Sequence, residues 1–184
     1  MTVIAPDGER NYINTIHCID LYFRLPPEYY LKKLDDERIA EVLKQWVASD
    51  GEDPETFVRT INKLPSVGIF RKEPNSDQSK EEMVCHSMLK LSSDIGITFT
   101  KEQYRRQGLA KIATLHLAHE LMHEDCGIHV SITPNSYSSI KMHENLGFNY
   151  YTTKSILLCF PKDYKHKEHP MFAEFSEMTK SKCK

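Results

Sequence analysis

The plainest pattern in the chain runs from residue 94 to 100. Ile95, Ile97 and Phe99 alternate there with Gly96, Thr98 and Thr100. A period of two marks a strand with two distinct faces. Residues 128 to 133 alternate in the same way. Shorter strands are predicted over 67–70 and 83–91, and a final strand or pair over 148–160. Tyr12, Ile13, Ile16, Ile19 and Tyr22 predict one or two short strands within 11–25. Elsewhere the period lengthens. Leu31, Leu34, Ile39, Val42, Leu43, Trp46 and Val47 recur at helical spacing and predict a helix over 28–49, with Gly51 beyond it. Asp53 and Pro54 read as the N-cap and first position of a second helix, whose apolar face is Phe57, Val58, Ile61 and Leu64 and which Pro65 stops. Leu109, Ala113, Leu117 and Leu121 line a third helix over 109–124, closed by Gly127. A fourth runs over 136–146 and ends at Gly147.

Helices and strands are mixed around one sheet, which places the chain in the α/β (α+β) class. The pattern predicts a single domain over residues 1–160. Residues 73–82, with Pro74, Asn75 and Ser76, read as a mobile hairpin loop. After Pro161 periodicity is lost, and 161–184 read as a charged tail.

Composition narrows the function. With 24 basic and 26 acidic residues the formal net charge is −2. That balance lacks the basic excess of a nucleic-acid-binding protein. The five cysteines are odd in number, widely spaced and without a CxxC, which predicts a reducing compartment rather than a disulfide framework. Cys85 and Cys126 lack the basic or helix-N-terminal setting that activates a thiol, so both read as core residues. No basic and then apolar leader opens the chain, and no apolar run is long enough for a bilayer. A soluble cytoplasmic protein without membrane contacts is expected, either monomer or homodimer.

The loop between the strand 94–100 and the helix from 109 carries the candidate chemistry. A helix N-terminus presents unpaired N–H groups and partial positive charge, so it attracts phosphate. Gly108 allows close backbone approach, and Ala110 keeps the first turn uncrowded. Arg105 and Arg106 add forked cationic donors that suit phosphate oxygens.

Arg105-Arg106-Gln107-Gly108-Leu109-Ala110 resembles the Arg/Gln-x-x-Gly-x-Gly/Ala motif of the GCN5-related N-acetyltransferase (GNAT) superfamily. A second signature of that superfamily, an Asn-x-x-Ser/Ala helix running to Leu-Gly-Phe, is matched by Asn135-Ser136-Tyr137-Ser138-Ser139 and Leu146-Gly147-Phe148. Leu34-Asp35, Trp46, Gly51, Leu64-Pro65-Ser66, Gly68-Ile69-Phe70 and Cys85-His86-Ser87 extend the likeness toward the glycine N-acyltransferase-like family. The resemblance implies a mixed sheet that splays between its fourth and fifth strands, with acetyl-CoA or a longer acyl-CoA in the opening. It implies that Phe99 and Thr100 face the pantetheine arm and that residues 106 to 110 hold the pyrophosphate. Asn135 or Ser136, with Ser139, would lie near the pantetheine. The acceptor would be a small amine or an amino acid such as glycine. A mitochondrial location is compatible with the family.

Direct acyl transfer needs a neutral amine, a stabilised oxyanion and a proton for the departing thiolate. The resemblance sets Asp94 where relatives carry a glutamate base, and His143 where many acetyltransferases carry a tyrosine acid. Asp94 reads equally as a turn residue of Ser92-Ser93-Asp94, and His143 as a helix-edge histidine. Tyr137 and His86 are further candidates for the acceptor pocket. A non-catalytic acyl-CoA-binding module would show the same loop. A rival motif is His119-Glu120-Leu121-Met122-His123, which matches the HExxH of zinc hydrolases. Against it, Gly127 is one position off the extended zinc-protease spacing and His129 falls in a strand. The expected cofactor set therefore contains no metal, although His116, His119 and His123 share a stripe that suits adventitious binding.

Overall fold

A computed structural model describes residues 2–4, 9–14, 25–46, 53–71, 81–123, 127–154 and 157–159. Its elements are β1 (Thr2–Ile4), β2 (Glu9–Asn14), β3 (Tyr29–Lys32), α1 (Asp36–Gln45), α2 (Pro54–Ile61), β4 (Ser66–Arg71), β5 (Glu82–Leu89), β6 (Ile95–Thr100), α3 (Leu109–His123), β7 (Ile128–Ile132), α4 (Tyr137–Asn145), β8 (Phe148–Lys154) and β9 (Leu157–Cys159). A seven-stranded sheet has the order β3-β4-β5-β6-β7-β2-β8, and β1 pairs with β9 in a small second sheet.

The mixed α/β class and the order of elements follow the sequence pattern. The first helix does not. Residues 28–49 divide into a strand and a shorter helix. Tyr29, Tyr30, Leu31 and Lys32 pair antiparallel with Arg71, Phe70, Ile69 and Gly68. The Asp35 side chain accepts from the Arg38 N–H at 3.0 Å and starts α1 at Asp36. Leu34 occupies the connector, buried in the same core as Ile39 and Val42, so its helical spacing to them is coincidental. The strands expected within 11–25 are represented by β2. It inserts between β7 and β8, antiparallel to both. Residues 15–24, most of the hairpin loop 73–82 and the tail 161–184 lie outside the described residues, as does Cys126.

Helices cover both faces of the sheet, and each face has its own core. On one side α1 and α2 bury Leu34, Ile39, Val42, Phe57 and Ile61 against Phe70, Met83 and Met88. Asp53 caps α2 by accepting from Thr56 N–H at 2.8 Å, as the Asp-Pro start predicted. On the other side α3 sets Leu109, Ala113, Leu117 and Leu121 against Val84, Ile95, Val130 and Phe148, and α4 adds Ile140. Burying each of the larger of these side chains contributes roughly 1.5–3 kcal/mol.

Every neighbouring pair in the large sheet is antiparallel except β6 and β7. These two run parallel and pair at one register position, Ile95 with Val130. Beyond it the sheet is open on the C-terminal side of β6. This is the splay between fourth and fifth strands implied by the resemblance.

Leu117 is fully buried at the centre of the α3 face. Leu117→Ala is expected to cost about 2–5 kcal/mol, because the sheet beneath it relaxes only partly into the void. The urea unfolding midpoint measures it.

Candidate functional site

The opening between β6 and β7 is shaped by a break in β6. Cys85 and His86 pair with Thr100 and Phe99, whereas Met88 and Leu89 pair with Gly96 and Ile95. One extra residue is therefore accommodated on β6, opposite Ser87. Ile97 takes a φ of 48° there. A β-branched residue in the left-handed region is strained, by about 1–3 kcal/mol, and such bulges concentrate where a strand must re-aim its groups. The alternation that identified this strand concealed the bulge, since one inserted residue leaves the local pattern readable.

After Thr100 the chain makes a short 3₁₀ turn, Glu102–Tyr104, and enters the arginine loop. Two residues here have positive φ, Arg106 at 67° and Gly108 at 79°. Gly108 fits this without strain, and a Cβ on it would meet no atom within 4 Å. The Gly108 carbonyl accepts from Ile112 N–H at 3.0 Å, so the N–H groups of the first turn of α3 open toward the loop. Leu109 anchors this turn in the core, and Ala110 is half-buried against it. Arg105 donates its Nε to the Thr100 carbonyl at 3.1 Å, and its guanidinium lies 6.0 Å from the Phe99 ring centre. Phe99, Thr100, Arg105, Arg106, Gln107, Gly108, Leu109 and Ala110 thus form one contiguous rim.

Side chains distant in sequence hold this rim. The buried Tyr104 hydroxyl donates to Glu82 Oε2 at 2.6 Å and accepts from Arg71 at 3.2 Å. Lys101 pairs with the other Glu82 oxygen at 3.1 Å. Tyr29, edge-on to Tyr104, donates its hydroxyl to Gln107 Oε1 at 2.9 Å. The Tyr104 hydroxyl leads in holding the Glu82 carboxyl below its ordinary range, against the effect of burial, with Lys101 and Arg71 helping. Sequence reading missed Tyr29 and Glu82. Nothing local to residues 29 or 82 signals a partner so far along the chain.

The second signature lies across the opening on α4. Asn135 is exposed in the turn before it. Ser136 is the N-cap residue, and its hydroxyl engages Thr133 Oγ1 at 2.8 Å rather than capping the helix. Ser139 Oγ lies 3.4 Å from His143 Nδ1, and the Ser139 carbonyl is closer at 2.8 Å. A carbonyl can only accept, so Nδ1 carries the proton and Nε2 of the neutral ring is an acceptor. Burial against Phe148 lowers the His143 pKa, and the Ser139 carbonyl partly opposes this. Tyr137 is exposed.

Asp94 is fully buried at the root of the opening. Its carboxylate pairs with Lys90 Nζ at 2.6 Å and accepts from the Ser92 hydroxyl. The Ser131 hydroxyl of β7 also contributes. Burial alone would raise its pKa, but Lys90 and Ser92 outweigh burial and leave it below the usual range. The contacts of Asp94 therefore tie the start of β6 to β7, while those of His143 are with Ser139 and Phe148. Cys85 is a core thiol: burial pushes it up to about 11 against a weaker pull from the Thr100 hydroxyl.

With this geometry in place, comparison with known proteins gives a family. The family model described as FR47-like protein matches residues 66–157, half of the chain. The chain belongs to the FR47-like family. No curated protein matches it. Among solved structures, this FR47-like chain is similar to a Drosophila protein, with a TM-score of 0.71 and 16% identity over 88% of the chain and 53% of that protein. It is similar to a GCN5-related N-acetyltransferase from Kribbella flavida, with a TM-score of 0.53 and 13% identity over 87% of the chain and 60% of that enzyme. It also resembles AAC(6')-Iy, solved with a bisubstrate analogue of CoA, with a TM-score of 0.51 and 15% identity over 74% of the chain and 99% of that protein. These structural likenesses establish the GNAT fold. The chain spans little more than half the length of the Drosophila and Kribbella proteins.

His86 supplies a pH test of this geometry. It is buried beside the bulge, stacked on Phe99, and neither ring nitrogen has a hydrogen-bond partner among the described residues. Burial lowers its pKa to about 4, with weak opposing contributions from the Ile97 backbone and Glu41. Between pH 6.5 and 4 the unfolded chain therefore binds a proton that the folded chain refuses, and stability falls as the pH drops through that window. The loss amounts to roughly 3 kcal/mol. Urea midpoints at pH 7.5 and 4.5 are expected to differ far less in His86→Met than in the parent, with His143 and the depressed carboxyls of Asp94 and Glu82 supplying the remaining dependence. An unchanged difference would show that His86 is not held neutral.

Proposed function

We propose that this chain is an acyl-CoA-dependent N-acyltransferase that passes an acetyl or longer acyl group directly to a primary amine. The observation that carries this reading is the rim at the C-terminal end of β6. There a helix N-terminus, two positive-φ residues and two arginines converge beside the opening in the sheet. AAC(6')-Iy, bound to a CoA bisubstrate analogue, supports it by fold likeness.

In this reading the first-turn N–H groups of α3 and Arg105–Ala110 bind the pyrophosphate, while Phe99 and Thr100 flank the pantetheine with Asn135, Ser136 and Ser139 opposite. Acyl-CoA supplies the activated acyl group. The bulge at Ile97 re-aims the β6 backbone toward the thioester carbonyl, where a donor would stabilise the oxyanion. Asp94 and His143 are the proposed proton-handling residues, and their surroundings restrict how they act. A carboxylate already paired with Lys90 is a weak base and works through water. A neutral His143 with its proton on Nδ1 must accept at Nε2 before it donates. The acceptor is proposed to be a small amine or an amino acid such as glycine, in line with the glycine N-acyltransferase-like motifs, and the location cytoplasmic.

The same surroundings favour a second reading, a module that binds acyl-CoA without turnover. Thiol release across a panel of amines separates the two. At about 100 Kd, acyl-CoA is expected to raise Tm by roughly 5–10 °C. Arg105→Glu should weaken binding about 10–100-fold through loss of a charge-assisted contact. In Asp94→Asn protein shown by circular dichroism to be folded, CoA binding should persist while kcat/KM falls by about 10²-fold or more. Absence of any CoA-dependent shift would sink both readings. Binding without turnover on every amine tested would leave only the second.

A further inference from the structure

The His-Glu-x-x-His segment of α3 is not used by the proposed transfer, and it lines a separate cavity of about 420 Å³ with Lys33, Ser66 and His116. α3 rises 1.5 Å per residue, so His119 and His123 lie about 15 Å or more along the axis from the arginine loop. The two rings stand edge to face, centres 4.4 Å apart, with Nε2 3.2 Å from Nε2.

Two imidazole nitrogens at this distance share one proton or bind one metal ion. With metal–nitrogen bonds of about 2.05 Å, a separation of 3.2 Å subtends roughly 100° at the metal, between the octahedral and tetrahedral angles. The rings occupy the last turns of the helix, where its carbonyl end favours a cation. Glu120 adds a carboxylate to the cavity wall, and Lys33 adds one opposing charge. Ser66 gives an independent sign of a ligand. Its hydroxyl is buried on the cavity wall and has no hydrogen-bond partner among the described residues. Among those residues no three His, Cys, Asp or Glu side chains are placed to hold one ion, so the described residues supply two ligands.

We propose that His119 and His123 form a two-histidine site for a first-row transition-metal ion such as Cu²⁺ or Zn²⁺, completed by water. The site is distinct from the acyl-CoA rim, and Ser66 lines the same cavity. Imidazole pairs select such ions over Mg²⁺ and Ca²⁺, which prefer oxygen.

Isothermal titration of the full chain, prepared without a histidine tag, tests this with Cu²⁺, Zn²⁺ and Mg²⁺ in turn. One site per chain is expected, tighter for Cu²⁺ than for Zn²⁺ and undetectable for Mg²⁺. His119→Gln and His123→Gln should each weaken binding by at least 10–100-fold, the scale seen even when an outer partner of a metal ligand is lost. His116→Gln should change it by less than about twofold if His116 is not a ligand. All three positions are solvent-exposed, so circular dichroism should show folded variants. No Cu²⁺ or Zn²⁺ binding, or unchanged binding in the His119→Gln/His123→Gln double variant, overturns the site. A loss in His116→Gln equal to that in His119→Gln overturns the two-ligand assignment.

Discussion

The structure depends on one junction, where β6 and β7 meet in parallel. They pair at Ile95 and Val130, and the buried Asp94 carboxylate, held by Lys90 and Ser92 of the preceding turn, reinforces the join through Ser131 of β7. A buried carboxylate is tolerated only with such partners, and removing one strands a charge in the core, commonly at about 3–5 kcal/mol. The core under α3 and α4 holds the two halves of the sheet together, and among the described residues only this junction bridges them by strand pairing. From it β6 runs free of β7 for the rest of its length. The cleft is therefore a consequence of strand pairing that begins and stops within one residue pair.

The rim at the far end of β6 is built on the opposite principle, with contacts from many parts of the chain. Tyr104 joins Glu82 of β5 and Arg71 of β4, and Tyr29 of β3 reaches Gln107. Three strands of the sheet thus fix a loop whose backbone adopts positive φ at Arg106 and Gly108. Backbone donors held in place before a ligand arrives cost little ordering when it binds. Strain at Ile97 and a buried His86 without a hydrogen-bond partner among the described residues sit beside this rigid frame.

The sequence made much of this legible. Alternation in 95–100 and 128–132, the Asp53-Pro54 start and the Pro65 and Gly147 stops all act locally, so they survive in a one-dimensional reading. The arginine loop was legible because a strand, a glycine and an amphipathic helix occur in the order an anion site needs. Three features were not. Residues 28–49 offered a helical spacing that tertiary pairing with β4 overrode. The bulge at Ile97 depends on the register of β5. Tyr29 and Glu82 gain their roles from contacts with residues 78 and 22 positions away in sequence, respectively. His143 was placed correctly on its helix, but its tautomer follows from the Ser139 carbonyl, which only coordinates reveal.

The central claim is that the rim from Arg106 to Ala110 binds the pyrophosphate of an acyl-CoA. Amide hydrogen exchange, read residue by residue with and without saturating CoA, tests it most directly. The account predicts slower exchange at the amides of residues 106 to 110 and along β6 toward Ile97, with the amides of His119 to His123 unchanged. Unaltered exchange at 106 to 110 under saturating CoA, or protection confined to another face of the fold, would contradict it.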